Sequence, residues 1–120
     1  MTRKEVTGKR DLTFSQWIRD NLPDSSSGMI VSDLDWIICN YKSEIIMLIE
    51  VKTRGKKLAD WQRILFNNID KWLKAGVSDN WVYLGFHTIT FTRTWFTDGD
   101  VYFDNRKVTE IELRSILSIK

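Results

Sequence analysis

Cysteine, histidine and proline are scarce in this sequence of 120 residues, where each occurs once. The single cysteine, Cys39, excludes an internal disulfide and a cysteine-rich zinc site. The single histidine, His87, excludes a metal site built on paired histidines within one chain. Any metal ion in this chain must therefore be held by oxygen ligands.

Long apolar runs are also absent. No apolar stretch approaches the roughly 20 residues that a membrane-spanning helix needs. The N-terminal sequence MTRKEVTGKR is basic but has no apolar segment behind it, so no secretory signal is visible. We therefore expect a cytoplasmic protein, or one of the host-cell cytoplasm if the chain is viral, with no membrane partner.

The composition is that of an ordinary globular protein, with 42% hydrophobic and 28% charged residues. A chain of this length predicts a single domain over residues 1–120. The net charge of +2 is too small to attract nucleic acid strongly. Positive charge is nevertheless concentrated in one short stretch, which contains Lys52, Arg54, Lys56 and Lys57.

Hydrophobic periodicity predicts an α/β fold in the order α-β-β-α-β-β-β-α. The strongest helix has apolar residues at spacings of three and four and stops at Gly76, and the last helix has Thr109 as its cap. We interpret most tryptophans as core residues, including Trp36, Trp61 and Trp72. The predicted helices cover residues 11–23, 57–76 and 109–117, and the predicted strands cover residues 29–39, 44–53, 80–91 and a pair around the turn of Asp98 and Gly99.

Four charged residues interrupt the first two predicted strands. Side chains alternate between faces along a strand, so Asp33 and Asp35 share one face, and Glu50 and Lys52 share one face of the next strand. Two registers remain open. A tight turn sets Asp35 opposite Glu50, whereas a wider turn sets Asp33 opposite Glu50. Both registers group the four charges together.

Opposed carboxylates on neighbouring strands repel each other, so a cation has to compensate for their charge. Lys52 could do so alone, in a buried ion-pair cluster. Magnesium could do so better, because it favours carboxylate oxygens and commonly takes one or two of them beside a phosphate. Lys52 could then position or deprotonate the attacking water, or stabilise developing charge. Hydrolysis of a phosphodiester is the reaction that uses all of these groups together.

The pattern of Asp35 followed by Glu50, Val51 and Lys52 resembles the signature of the PD-(D/E)XK nuclease superfamily. In that signature, an acid on one strand is followed across a hairpin by Glu/Asp-x-Lys. The resemblance implies a restriction-endonuclease-like core, as in restriction enzymes and archaeal Holliday-junction resolvases, with a central mixed sheet flanked by helices. It also implies catalysis by Asp35, Glu50 and Lys52, with Mg²⁺ or Mn²⁺ bound by Asp35, Glu50 and Val51. Asp33 competes with Asp35 as the first acid.

The resemblance extends to supporting residues. Resolvase-type members often carry a serine shortly before the aspartate, which implies a role for Ser32. Several subfamilies add a glutamine in the helix after the lysine, a position that Gln62 fits. Many members also carry an acid in the N-terminal helix, where Glu5 and Asp11 are the candidates.

The function that the resemblance implies is a metal-dependent DNA endonuclease, either structure-selective or associated with a phage or mobile element. We expect a homodimer that cuts two strands and needs no small-molecule cofactor. The candidates for binding the DNA backbone are Arg54, Lys56 and Lys57 in the basic loop and Arg19 on the first helix. The alternative is a non-catalytic nucleic-acid-binding module that keeps the fold and uses the basic loop. A third reading is a protein-interaction domain without affinity for nucleic acid.

Overall fold

The structure is a computed structural model that describes residues 13–120. The candidate acids Glu5 and Asp11 lie outside the described residues. Contacts between residues divide the chain into two compact units, with the boundary between Ser32 and Asp33.

The first unit contains the helix predicted near the N-terminus. Helix α1 spans Thr13–Asn21, with Phe14 and Trp17 stacked at 5.8 Å between ring centroids. A short 3₁₀ helix, Ser25–Ser27, lies in the stretch predicted as a loop, where Asp24 accepts a hydrogen bond from the backbone N–H of Ser26.

The second unit is a five-stranded mixed sheet with two helices, and this confirms the α/β class and the predicted order of elements. The strands lie in the sheet in chain order. Strands β2 and β3 are parallel and are connected through α2, whereas the other neighbouring pairs are antiparallel. The elements are β1 (Trp36–Asn40), β2 (Ile45–Lys52), α2 (Asp60–Gly76), β3 (Val82–Phe91), β4 (Val101–Phe103), β5 (Arg106–Val108) and α3 (Glu110–Leu117).

The sheet has an apolar layer on each face, and the two layers differ in polarity. On one face, Met47 and Ile49 of β2 are almost fully buried and belong to a cluster that includes Leu113 of α3. On the other face, Phe66 of α2 packs against Phe86 of β3, with ring centroids 5.0 Å apart. The charged residues of β2 lie on this second face, because side chains alternate along a strand.

A β-bulge in β3 adjusts which residues face α2. The register with β2 shifts between Ile46 and Leu48, so β3 contains one additional residue there. Gly85 has a φ of +99°, a backbone conformation that glycine adopts without steric cost. Asp70 of α2 holds the bulge by accepting hydrogen bonds from the Tyr83 hydroxyl at 2.8 Å and from the Phe86 backbone N–H at 2.9 Å.

The first predicted strand begins too early, because residues 29–35 are not part of β1. Continuing the observed register backwards would pair Val31 with Arg54. Strand β2 ends at Lys52, and both Arg54 and Gly55 have positive φ, so the chain turns away at that point. Asp33, Leu34 and Asp35 lie opposite residues of β2 in this register but are not part of β1, and the backbone N–H of Val51 donates to the Asp35 side chain at 2.8 Å.

Two further predictions about the second unit are wrong. The stretch around Asp98 and Gly99 is a long loop between β3 and β4, and the tight hairpin turns instead at Asp104 and Asn105, which both have positive φ. The tryptophans predicted to pack in the core are exposed, Trp36 by 58%, Trp61 by 41% and Trp72 by 63%.

Within residues 13–120, no helix combines the length and the apolar character that a membrane crossing requires.

Candidate active site

The pairing of β1 with β2 decides between the two registers that the sequence leaves open. Trp36 is paired with Ile49 and Asn40 with Ile45. In this register Asp35, the residue just before β1, stands opposite Glu50. The register that would set Asp33 opposite Glu50 is wrong.

Glu50 is the buried charged residue of this site, with 3% of its surface exposed. Burial, followed by the hydrogen bond and the negative charge of Asp35, raises the pKa of Glu50 to about 8. The charge of Lys52 acts in the opposite direction. Among the described residues, none donates a hydrogen bond to Oε2 of Glu50, although this atom is buried. The Glu50 carboxyl group thus lies beside the Asp35 carboxylate and has one buried oxygen, Oε2, whose hydrogen-bonding capacity is unused.

Asp35 is exposed but held in place from the neighbouring strand. Its Oδ2 accepts a hydrogen bond of 2.8 Å from the backbone N–H of Val51. This contact orients the Asp35 carboxylate toward β2 and brings it close to Glu50. Asp33 is exposed and its negative charge contributes to the raised pKa of Glu50, although less than that of Asp35.

Lys52 lies close to the acids and lines a cleft that also contains other charged residues. It follows Glu50 by two residues on β2, so both side chains lie on the face that α2 covers. Lys52 is partly buried and lines a cleft of about 440 Å³. Lys56 and Lys57 of the basic loop line the same cleft. The structure therefore brings together three of the predicted cations.

The cleft also contains residues that the sequence analysis missed. Arg63 and Asn67 come from α2, and Thr88 and Thr90 come from β3. The two threonines pair in register with Glu50 and Lys52 across the parallel strands. The signal in the sequence was the alternation of Thr88 and Thr90 with apolar residues near the end of β3. These threonines can be assigned to the cleft only once β3 is known to pair in parallel with β2.

Gln62 has a local role at the start of α2. Its Oε1 accepts a hydrogen bond of 3.2 Å from the backbone N–H of Ala59, which satisfies one of the free N–H groups at the helix start. Arg54 is exposed in the turn after β2, where its backbone N–H donates to the Arg93 carbonyl at 2.7 Å. This bond anchors the basic loop to the chain beyond β3.

Two predicted residues belong to the first unit. Ser32 is partly buried at the end of that unit, and Arg19 is exposed in the last turn of α1.

The carboxyl groups fit a hard divalent cation. Two carboxylates converge, and one is buried with an oxygen available, so the pair resembles the one or two protein carboxylates that Mg²⁺ commonly uses. Within residues 13–120, no cluster of three or more Asp, Glu, His or Cys side chains is arranged to hold a metal ion. Asp35 and Glu50 would therefore need further oxygen ligands from backbone, water or phosphate.

Comparisons with known proteins do not assign a family. No protein-family model matches this chain, and no solved structure matches it. The sequence is 28% identical over 102 residues to an uncharacterized protein of Archaeoglobus fulgidus, in an alignment that covers 84% of this chain and 67% of the relative. Function therefore has to be inferred from the site residues.

Proposed function

We propose that this protein is a metal-dependent DNA endonuclease of the PD-(D/E)XK type, which hydrolyses phosphodiester bonds with Mg²⁺ or Mn²⁺. The observation that supports it most is the convergence of Asp35 and the buried Glu50, with Lys52 two residues further along β2 and lining a cleft that contains other cations. The order of elements and the mixed sheet support a restriction-endonuclease-like core.

Each residue has a distinct task in this proposal. Asp35 and Glu50 hold the metal ion, together with a backbone ligand at Val51, and the hydrogen bond from Val51 to Asp35 keeps the first acid in position. When bound, the ion would neutralise phosphate charge and make water a stronger nucleophile. Lys52 lies on the cleft side of Glu50, where its ammonium group orients the attacking water or stabilises the charge that develops on phosphate.

Cleavage assays test this function directly. Plasmid, branched and single-stranded DNA would be incubated with the protein in Mg²⁺, in Mn²⁺ and in chelator. We expect cleavage only with metal, and a loss of about 100-fold or more in Asp35→Asn and Glu50→Gln. Glu110→Gln on α3 is the matched control, since it removes one exposed carboxylate from another element. Folded protein that cuts no DNA with either metal would contradict the proposal.

A non-catalytic nucleic-acid-binding module is the second candidate, and one observation favours it. A protonated Glu50 can donate a hydrogen bond to Asp35 without any cation, so a structural contact is enough to keep the two carboxyl groups together. In that case Glu50→Gln keeps both stability and DNA affinity, and wild-type protein never cuts.

The remaining parts of the proposal concern assembly and location. We propose cytoplasmic action on DNA and a homodimer in which two sites cut the two strands of a duplex. Sedimentation equilibrium measures the dimer directly, and a protein that remains monomeric at the concentrations where it breaks duplexes would contradict this assembly.

A further inference from the structure

The cleft beside the acid pair has an excess of positive charge. Lys52, Lys56, Lys57 and Arg63 line it together with two acids, Asp60 and Asp104. These cations come from three consecutive segments: the end of β2, the basic loop and the first turn of α2. A concave surface with this charge attracts a polyanion.

The two acids in the cleft are already engaged by neighbours. Asp60 lies 3.6 Å from the Arg63 guanidinium, in an exposed ion pair that costs little to break. Oδ1 of Asp104 accepts a hydrogen bond of 2.9 Å from the backbone N–H of Thr88, and Oδ2 lies 2.5 Å from Nδ1 of His87. Asp104 thus acts as an anchor for the β4–β5 turn against β3, which forms one wall of the cleft.

An aromatic side chain also lines the cleft. Phe86 of β3 is partly buried, and Phe66 of α2 supports its ring from the neighbouring element. Cationic grooves with aromatic side chains are typical of surfaces that bind single-stranded nucleic acid, because bases stack on the rings while phosphates meet the cations.

The shape of the cleft favours one strand over two. The cleft lies between α2 on one side and the β4–β5 turn, with Asn105, on the other. A DNA duplex is a rigid cylinder, and a protein normally reads it with a protruding helix or β-ribbon that enters a groove. A single strand is flexible enough to bring its phosphates and bases into a cleft of about 440 Å³.

We propose that this cleft binds single-stranded DNA, with Lys56, Lys57 and Arg63 on its phosphates and Phe86 under a base, and leads the strand to Asp35 and Glu50. The claim that the bound strand is the substrate rests on the nuclease function proposed above. The claim that the cleft binds one strand stands on the cleft residues themselves.

Fluorescence anisotropy with a labelled oligo(dT) and a length-matched duplex, both in chelator, measures binding without cleavage. We expect the duplex to bind at least about 10-fold more weakly at equal salt. Arg63→Ala should weaken oligo(dT) binding about 3-fold to 10-fold and reduce the magnitude of the salt slope by about 0.7. The matched control is Arg114→Ala on α3, an exposed helical arginine that also pairs with an acid, Glu110.

Two further measurements keep the test independent of folding defects. Arg63→Lys retains the charge and should bind nearly as wild type does. An oligonucleotide with abasic sites should bind about 5-fold or more weakly with an unchanged salt slope, because it keeps the phosphates but loses stacking.

The outcomes separate this inference from the nuclease proposal. Duplex binding as tight as single-strand binding, or equal effects of Arg63→Ala and Arg114→Ala, would overturn the single-strand inference even if the protein cuts DNA. Selective single-strand binding through Arg63 by a protein that never cuts would support the cleft assignment and remove the nuclease proposal alone.

Discussion

At the scale of single residues, Glu50 is kept buried beside a second carboxyl group, Asp35. Two adjacent negative charges in such a place are costly, so the pair needs either a proton or a cation. The raised pKa of Glu50 describes the first state. A divalent ion would take the place of that proton, since a metal ligand has to be deprotonated.

The raised pKa of Glu50 predicts how stability changes with pH in the absence of metal. Between pH 4.5, the ordinary value, and about 8, the folded protein holds a proton that the unfolded chain has released. This contribution to the free energy of unfolding is fully present below the ordinary value and is lost as pH rises. We expect a loss on the order of 4 kcal/mol from pH 5 to pH 8, at about 1.4 kcal/mol per pH unit.

Urea unfolding in chelator at several pH values measures this loss. The Glu50→Gln variant should remove most of the slope, because glutamine stays neutral and keeps a donor for Asp35. All other titrating groups are common to both proteins, so the difference between the two curves isolates Glu50. Identical curves would show that Glu50 is ionised in the folded state.

Lys52 is predicted to act on the reaction more than on binding. Lys52→Ala should reduce the cleavage rate about 100-fold or more, since it removes a charge placed beside the acids. DNA affinity measured in chelator should fall only about 3-fold, as for the loss of one phosphate contact. Lys56→Ala is the control: it should weaken DNA affinity and leave the cleavage rate of bound DNA nearly unchanged. Equal losses of rate and affinity in Lys52→Ala would make Lys52 a binding residue only.

At the scale of elements, the sequence predicts those helices and strands whose signals are local. The apolar periodicity identifies α2, and Thr109 with Glu112 marks the start of α3, where each side chain accepts the other's backbone N–H at 3.1 Å. The start of β1 could not be predicted, because the Val51 N–H bonds to the Asp35 side chain, a contact that the alternation of residues along the strand does not show. The hairpin at Asp104 and Asn105 was missed because the turn of Asp98 and Gly99 has the stronger local signature.

Asp70 is predicted to be the main polar link between α2 and β3. Burial opposes its charge, but hydrogen bonds from Tyr83, Lys74 and the Phe86 N–H outweigh this and hold the pKa of Asp70 below its ordinary value. Its contribution to stability is therefore lost only as pH falls below about 4. Asp70→Ala should lower the free energy of unfolding at pH 7 by about 2–3 kcal/mol.

Urea unfolding at pH 7 checks this value, with Asp79→Ala as the control. Asp79 is an exposed acid in the loop after α2, and its replacement should change stability by less than about 0.5 kcal/mol. Equal effects of the two replacements would show that the Asp70 contacts contribute no net stability.

At the scale of the whole molecule, the acid pair was predictable but its surroundings were not. The pattern of Asp35, Glu50 and Lys52 lies within one hairpin, so alternation along two strands is enough to group these residues. The cleft needs α2, the parallel strand β3 and the β4–β5 turn in addition, and Arg63 and Thr88 line the same cleft only because of that packing. Neither the spacing nor the composition of the chain contains this information.

The expected homodimer rests on the need to cut two strands, and a single strand removes that need. We therefore predict that the cleavage rate per protein molecule on oligo(dT) is constant across the concentrations over which a dimer forms. Double-strand breaks in a duplex should instead increase with the dimer fraction. Parallel rate and sedimentation measurements check this, and a single-strand rate that follows the dimer fraction would contradict it.

The bulge at Gly85 has a consequence for how β3 tolerates changes in length. Because the strand carries one additional residue there, Tyr83 and Thr88 face the same layer although alternation would separate them. The bulge thus interrupts the alternation of side chains at one point, and the residues on its two sides face the correct layers because of that interruption. Deleting Gly85 would remove the bulge, and the residues before and after it would still face their present layers. Deleting a residue further along β3 would instead turn the residues on one side of the deletion to the opposite face of the sheet. Threonines of the cleft and residues of the core would then exchange faces in that part of the strand.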